Sequence, residues 1–321
     1  MKISIPQISK QIYKEDILNV LLKRYPTLGP IWVSNQIEWF NGIYSCFKDH
    51  NKFLIIIFLT KKTLDFYSRN FTKLTYDEFF SRQTIEIEKF QVAEISNELQ
   101  IPKESARRKI LELEKEGVIR RVNKKIVIDR SCFNYSKPVN TIKRVSTFLS
   151  VLSTICYEEK ILSKKLTSAE LELIIKSNFS YIWSYYYELQ IPMMTNYKKI
   201  FKDLDTFHIF ATCIVSQHLY AKKISKSYVN REEFIKSIFT AKEMQGINAM
   251  SISDITGIPR ATVIRKLQKL VKLKNLSIDK KKHYRMTEKL LTNILPVHKN
   301  NFVRLANFTT KIFSLSILQK Y

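Results

Sequence analysis

Residues 251–285 read SISDITGIPRATVIRKLQKLVKLKNLSIDKKKHYR. At the helical period, Ile252 and Ile255 give a short helix, Gly257-Ile258 a turn, and Pro259 starts a second helix whose apolar positions are Val263, Leu267 and Leu270. Leu276-Ser277-Ile278 and His283-Tyr284-Arg285-Met286 then alternate as two short strands around Asp279-Lys280-Lys281-Lys282. Two helices, a tight turn and a basic hairpin make the outline of a winged helix-turn-helix.

A counterpart lies upstream. Residues 92–129 read VAEISNELQIPKESARRKILELEKEGVIRRVNKKIVID. Laid over the opening stretch without a gap, Ile95–Ile119 and Ile252–Leu276 share eight identities in 25 positions. These are Ile95/Ile252, Ser96/Ser253, Ile101/Ile258, Pro102/Pro259, Arg108/Arg265, Lys109/Lys266, Leu113/Leu270 and Lys115/Lys272. Before each copy stands the pattern of a capping box, Thr75 with Glu78 and Asn230 with Glu233. Asp16-Ile17-Leu18 to Tyr25 resembles Glu170-Leu171-Glu172 to Phe179, and Phe47-Lys48-Asp49 resembles Phe201-Lys202-Asp203. Ile31-Trp32 pairs with Ile182-Trp183 only at a shifted offset, which a small insertion in the second copy would explain.

The prediction is therefore a mainly α-helical, internally duplicated chain with two winged helix-turn-helix domains, each with a short β-hairpin wing, and additional helices. Residues 1–130 are read as the first repeat, with its winged helix from about 75 to 130, and 131–160 as linker and connecting helix. Residues 161–290 are the second repeat, winged from about 230 to 287, and 291–321 hold a C-terminal helix, its apolar pattern running from Asn300.

Composition limits the rest. The chain has 321 residues, 45% apolar, with only 5 Gly and 8 Pro, as expected of helices with ample core. The 54 Lys and Arg against 29 Asp and Glu leave +25, a surplus that favours a polyanionic partner. A chain rich in Ile, Lys, Asn and Tyr carries basicity as compositional drift, so the placement of the charge decides. Residues 252–286 hold ten Lys/Arg against two acids, a surplus of eight, and residues 95–129 nine against six, a surplus of three.

A major groove about 12 Å wide admits one helix, and base edges are read near that helix's start. With Val263, Leu267 and Leu270 turned inward, Arg260, Thr262 and Arg265 are assigned to the groove. Lys266, Lys269 and the wing lysines Lys280, Lys281 and Lys282 are assigned to phosphates. In the first copy the corresponding set is Lys103, Ser105, Arg107, Arg108 and Lys109, with Arg120, Arg121, Lys124 and Lys125 on the wing. There Glu112, Glu114 and Glu116 lie further along the same helix, so the competing reading of a merely solvated face weighs more on this copy than on the second.

Both copies resemble the winged helix-turn-helix of bacterial transcriptional regulators of the MarR and IclR type. The resemblance rests on Gln100-Ile101-Pro102 through Glu114-Lys115-Glu116-Gly117-Val118-Ile119, and on Gly257-Ile258-Pro259 through Leu276. It covers about 40 residues twice. It departs from the pattern at Gln100, where a turn Gly is usual, and at Leu273-Lys274-Asn275, where the Gly before the wing is replaced.

The resemblance implies a sequence-specific regulator of double-stranded DNA, here with both winged domains in one chain as a pseudo-dimer, whether monomeric or a homodimer. The rival is a plasmid- or phage-type replication initiator, or a chromosome-organising scaffold. The glycines are too scattered for a phosphate-cradling loop or a nucleophile elbow, so no enzyme is expected. Cys46, Cys132, Cys156 and Cys213 and the five His lack ligand spacing, so neither metal nor cofactor is expected.

Trp32/Trp39/Phe40 and Trp183/Tyr185/Tyr186/Tyr187 are read as core, with an unidentified small-molecule effector as the competing reading. The start MKISIPQISKQIYKED lacks a signal-peptide core, and no apolar run reaches a membrane span, so a cytoplasmic location without membrane contact is expected.

Overall fold

A computed structural model describes residues 8–133, 137–224, 231–240 and 246–318. The fold is mainly α-helical, at 74% helix, and the strands among the described residues form two antiparallel hairpins, the first extended by a third strand. The helices are α1 (Lys14–Lys23), α2 (Tyr25–Phe47), α3 (His50–Arg69), α4 (Tyr76–Ser81), α5 (Val92–Leu99), α6 (Lys103–Lys115) and α7 (Val139–Glu158). They continue with α8 (Ser168–Ser177), α9 (Phe179–Phe201), α10 (Leu204–Ile224), α11 (Arg231–Thr240), α12 (Ala249–Thr256), α13 (Arg260–Lys272) and α14 (Leu291–Leu318). In the first hairpin β3 (Lys125–Asp129) pairs with β2 (Ile119–Val122) and also with β1 (Thr84–Ile87). The second pairs β4 (Leu276–Ile278) with β5 (Tyr284–Met286), and Ile247 bridges Tyr284 on the far side.

Local geometry repeats along the chain. Helices α5 and α12 are both 8 residues long, α6 and α13 both 13, and their starts at Val92 and Ala249, and at Lys103 and Arg260, keep the spacing of the ungapped alignment. Pro102 and Pro259 precede the second helix of each segment at matching dihedrals. Ser96 Oγ donates to Ile101 O at 2.7 Å and Ser253 Oγ to Ile258 O at 2.8 Å, closing the two turns alike. The buried sets Ile95, Ile101, Ala106, Ile110, Leu113 and Ile252, Ile258, Val263, Leu267, Leu270 are also in register.

Both departures from the glycine pattern keep the glycine conformation. Gln100 has φ 51° where Gly257 has 69°, and Lys274 has 59° where Gly117 has 75°. An L side chain in this left-handed region costs roughly 1–2 kcal/mol. Gln100→Gly is therefore expected to raise stability by about 1 kcal/mol. Thermal melting checks this, and an unchanged or lower midpoint contradicts it.

The likeness of the front parts is also geometric. Helices α1 and α8 are both 10 residues long and α2 and α9 both 23, from Lys14 and Ser168 and from Tyr25 and Phe179. Lys48 and Lys202, at the ends of α2 and α9, both have positive φ. Because the two long helices keep one offset from end to end, Ile31-Trp32 and Ile182-Trp183 are not equivalent and no insertion lies between them. The change of offset falls downstream, between α10 and α12. The Thr75/Glu78 capping box is formed, Asn230 lies outside the described residues, and Thr167/Glu170 makes a further box ahead of α8. The last helix runs Leu291–Leu318 and continues through Pro296, so its apolar pattern extends back from Asn300 to Leu291.

The chain divides into two compact units, each drawing on both halves of the sequence. One contains residues 42–138 and 175–204. In it α3 packs along α9, and β1, α5 and α6 rest on α3. Its core combines Leu54, Ile55, Ile57 and Leu59 with Ile182, Trp183 and Tyr186, Trp183 stacking on Phe179 at 5.0 Å and on Tyr186 at 4.6 Å. The other contains residues 1–41, 139–174 and 205–321, where α1 packs on α14 and α7.

Candidate nucleic-acid interface

Helix α13 buries Val263, Leu267 and Leu270 and leaves Arg260, Arg265 and Lys269 exposed, with Thr262 and Lys266 half-buried. Arg265, Lys269 and Lys272 follow one another at spacings of four and three, a single outward row opposite the buried stripe. Lys272, which periodicity alone left unassigned, continues that row. None of Arg260, Arg265, Lys269 and Lys272 forms an ion pair among the described residues.

The adjoining hairpin presents Lys280, Lys281 and Lys282, all exposed. Asp279 builds this turn. Its carboxylate accepts the Lys281 and His283 amides, each at 2.9 Å, while Lys282 N–H donates to Asp279 O at 3.0 Å. The His283 amide, then the Lys281 amide and the charges of His283 and Arg285, hold the Asp279 carboxyl below its ordinary pKa. Asp279 is thus an anionic staple inside a cationic loop, bound to backbone amides of the turn, while the ammonium groups of the three lysines make no ion pair with it. The hairpin is fixed to its unit by Met286 N–H, which donates to buried Gln217 Oε1 at 2.8 Å.

The equivalent surface of α6 differs in its chemistry. Arg107 pairs with Glu104 at 2.6 Å and Arg108 lies 3.8 Å from Glu112. Lys109 is drawn inward, its ammonium 2.7 Å from Asp49 and 2.9 Å from Glu112. Burial alone would lower its pKa, but these two carboxylates outweigh burial and raise it. Lys52 adds pairs with Glu112 at 3.1 Å and Glu116 at 2.5 Å, tying α6 to α3. On the hairpin Lys125 pairs with Glu86 and Arg120 with Asp129, leaving Arg121 and Lys124 exposed without an ion pair among the described residues.

Lys103 is exposed and Ser105 half-buried at the start of α6. Along the outward row, Arg108, Glu112 and Lys115 stand where α13 has Arg265, Lys269 and Lys272. One carboxylate therefore interrupts in α6 what is an unbroken cationic row in α13. The ion pairs to Asp49 and Lys52 carried no signal in the sequence, since their partners lie about 60 residues away and only the docking of α6 on α3 brings them together.

The aromatic clusters are mostly interior. Trp32, Trp39, Phe40, Trp183 and Tyr186 are buried, and Trp32 packs on Phe148 at 5.0 Å. Among the described residues no group of three His, Cys, Asp or Glu is placed to hold a metal ion, and no helix is long and apolar enough to cross a membrane. Compared with protein-family models, with curated proteins and with solved structures, the chain matches none.

Proposed function

We propose that the chain is a sequence-specific regulator that binds double-stranded DNA through two winged helix-turn-helix domains, with α6 and α13 as recognition helices and the hairpins as wings. The observation that carries this is the uninterrupted row Arg265, Lys269, Lys272 on α13 beside the Lys280–Lys282 turn. A helix with outward cations and an adjacent basic loop suits a groove between two phosphate strands. The domains divide the work unevenly. The second supplies most of the affinity, because its cations are not neutralised within the protein, and the first, whose Arg107 and Lys109 spend their charge on Glu104, Asp49 and Glu112, reads a weaker half-site. With both domains in one chain, a single molecule acts as a pseudo-dimer.

In this reading Thr262, near the start of α13, contacts a base edge and contributes little to phosphate attraction. Thr262→Ala is expected to relax the preferred sequence while nonspecific duplex binding stays within about twofold, since good base contacts carry roughly 1–3 kcal/mol of discrimination. Selection of bound duplexes from a random pool, run in parallel for both proteins, measures this. An unchanged motif with a uniform loss of affinity contradicts the role given to Thr262.

A further inference from the structure

Helix α3 ends in a tight reversal that leaves one aromatic ring almost wholly in solvent. Thr72 N–H donates to Tyr67 O at 2.8 Å and Phe71 N–H to Ser68 O at 3.2 Å, the paired bonds that close a helix through a left-handed residue. That residue is ordinarily glycine. Here it is Phe71, at φ 56° and 97% exposed. The ring buries nothing that would offset its unfavourable backbone conformation.

The surroundings of Phe71 are cationic and aromatic. Arg69 and Lys73 flank it, residues 66–76 contain no Asp or Glu, and among the described residues the one carboxylate paired with either cation is Glu88, 3.2 Å from Arg69. Phe66, one turn earlier on α3, is 47% exposed. Lys73 Nζ lies 5.4 Å from the Tyr181 ring centroid, and Tyr181 meets Tyr185 edge to face at 5.1 Å. An exposed ring between two cations matches an unpaired nucleotide, whose base offers a face for stacking and whose flanking phosphates offer anions.

We propose that the Arg69–Lys73 loop is a single-stranded nucleic-acid contact, with Phe71 stacking on one unpaired base and Arg69 and Lys73 on the adjoining phosphates. It extends the reading of the chain as a DNA-binding protein but uses a surface distinct from the α13 row. Lys73, which makes no ion pair among the described residues, and Arg69, whose exposed guanidinium is shared with Glu88, put positive charge on both sides of the ring and favour a nucleic acid over an apolar protein groove.

Phe71→Gly is the test variant, because glycine keeps the left-handed turn while removing the ring. Its thermal midpoint is expected to stay level or rise by about 2 °C. Fluorescence titration of the full chain with a short single-stranded oligonucleotide carrying 2-aminopurine is expected to show quenching on binding. Phe71→Gly should lose the quenching and bind about 5- to 150-fold more weakly, the range of one base–aromatic stack. Its affinity for duplex DNA should be unchanged, whereas changing Arg265 and Lys269 to Ala should leave the quenching intact. Equal quenching by both proteins overturns the proposal whether or not duplex DNA is bound. Loss of binding to anionic phospholipid vesicles in place of oligonucleotide binding overturns it in favour of a membrane contact.

Discussion

Changing Arg265, Lys269 and Lys272 together to Ala is expected to weaken binding to duplex DNA by about 10²-fold at low salt, at roughly 1 kcal/mol per contact. The slope of log affinity against log salt should fall by about two, because Lys269 and Lys272 face phosphates while Arg265 faces the groove, and each lost phosphate contact releases about one counterion fewer. All three side chains are exposed and make no ion pair among the described residues, and alanine is the best helix former, so α13 keeps its fold. A triple change among the first domain's assigned cations, Arg107, Arg108 and Lys109 to Ala, should cost far less DNA affinity, since Glu104, Asp49 and Glu112 already pair with these cations. It should instead lower the melting temperature, because Lys109→Ala leaves Asp49, largely out of solvent, without its cation. Filter binding across a salt series with melting curves separates the two effects. Equal losses of affinity from both triples contradict the division of labour.

The second large effect is acid sensitivity of the unit that carries α13. Buried Tyr25 and His218 and half-buried Arg231 and His298 form a chain of hydrogen bonds whose direction is set at its ends. Arg231 can only donate, so His298 Nδ1, 3.1 Å away, accepts. His298 Nε2–H then donates to Tyr25 Oη at 3.4 Å, and the Tyr25 hydroxyl donates to His218 Nε2 at 3.2 Å. His218 Nδ1–H finishes the chain on Ile214 O at 3.0 Å. Both imidazoles are neutral in this arrangement.

Burial lowers the His218 pKa to about 4, and burial with the charge of Arg231 lowers that of His298 to about 3. Both folded values lie below the ordinary imidazole value of 6.5, so the unfolded chain takes up more protons between these limits. The stabilising contribution is complete above pH 6.5 and is lost as pH falls toward 4 and then 3. His218 alone accounts for about 3 kcal/mol over that range. Denaturant melts from pH 7 to pH 4 should show stability falling by up to about 2.7 kcal/mol per pH unit, two protons' worth. Replacing both His with Gln should lower stability at pH 7 and flatten the pH dependence. A wild-type protein equally stable at pH 7 and pH 4 contradicts the neutral network.

Much of the local architecture was legible in the sequence because it rests on short-range rules. The alternation of Val263, Leu267 and Leu270 fixed the buried face of α13, and the prolines at 102 and 259 marked the starts of both second helices. The ungapped identities pointed to the register that the element boundaries keep. Features that depend on distant partners were not legible. Trp32 and Trp183 look alike because each fills a core, yet the equal lengths of α2 and α9 put them out of register. Nothing near Lys109 announces Asp49, and the His218–Tyr25–His298 chain joins residues from three helices far apart in sequence. One local signal adds to the short-range ones: Thr167 with Glu170 has the capping-box spacing that opens α8.

The central claim is that this chain binds duplex DNA chiefly through the phosphate-facing cations of α13 and its wing. Its most direct test is a titration of the intact protein with labelled duplexes selected from a random pool, repeated at low and physiological salt. The account predicts saturable binding by one protein chain, a steep loss of affinity with salt, and a recovered motif with one strong and one weak half-site. No binding at low salt, or binding indifferent to salt, would contradict it.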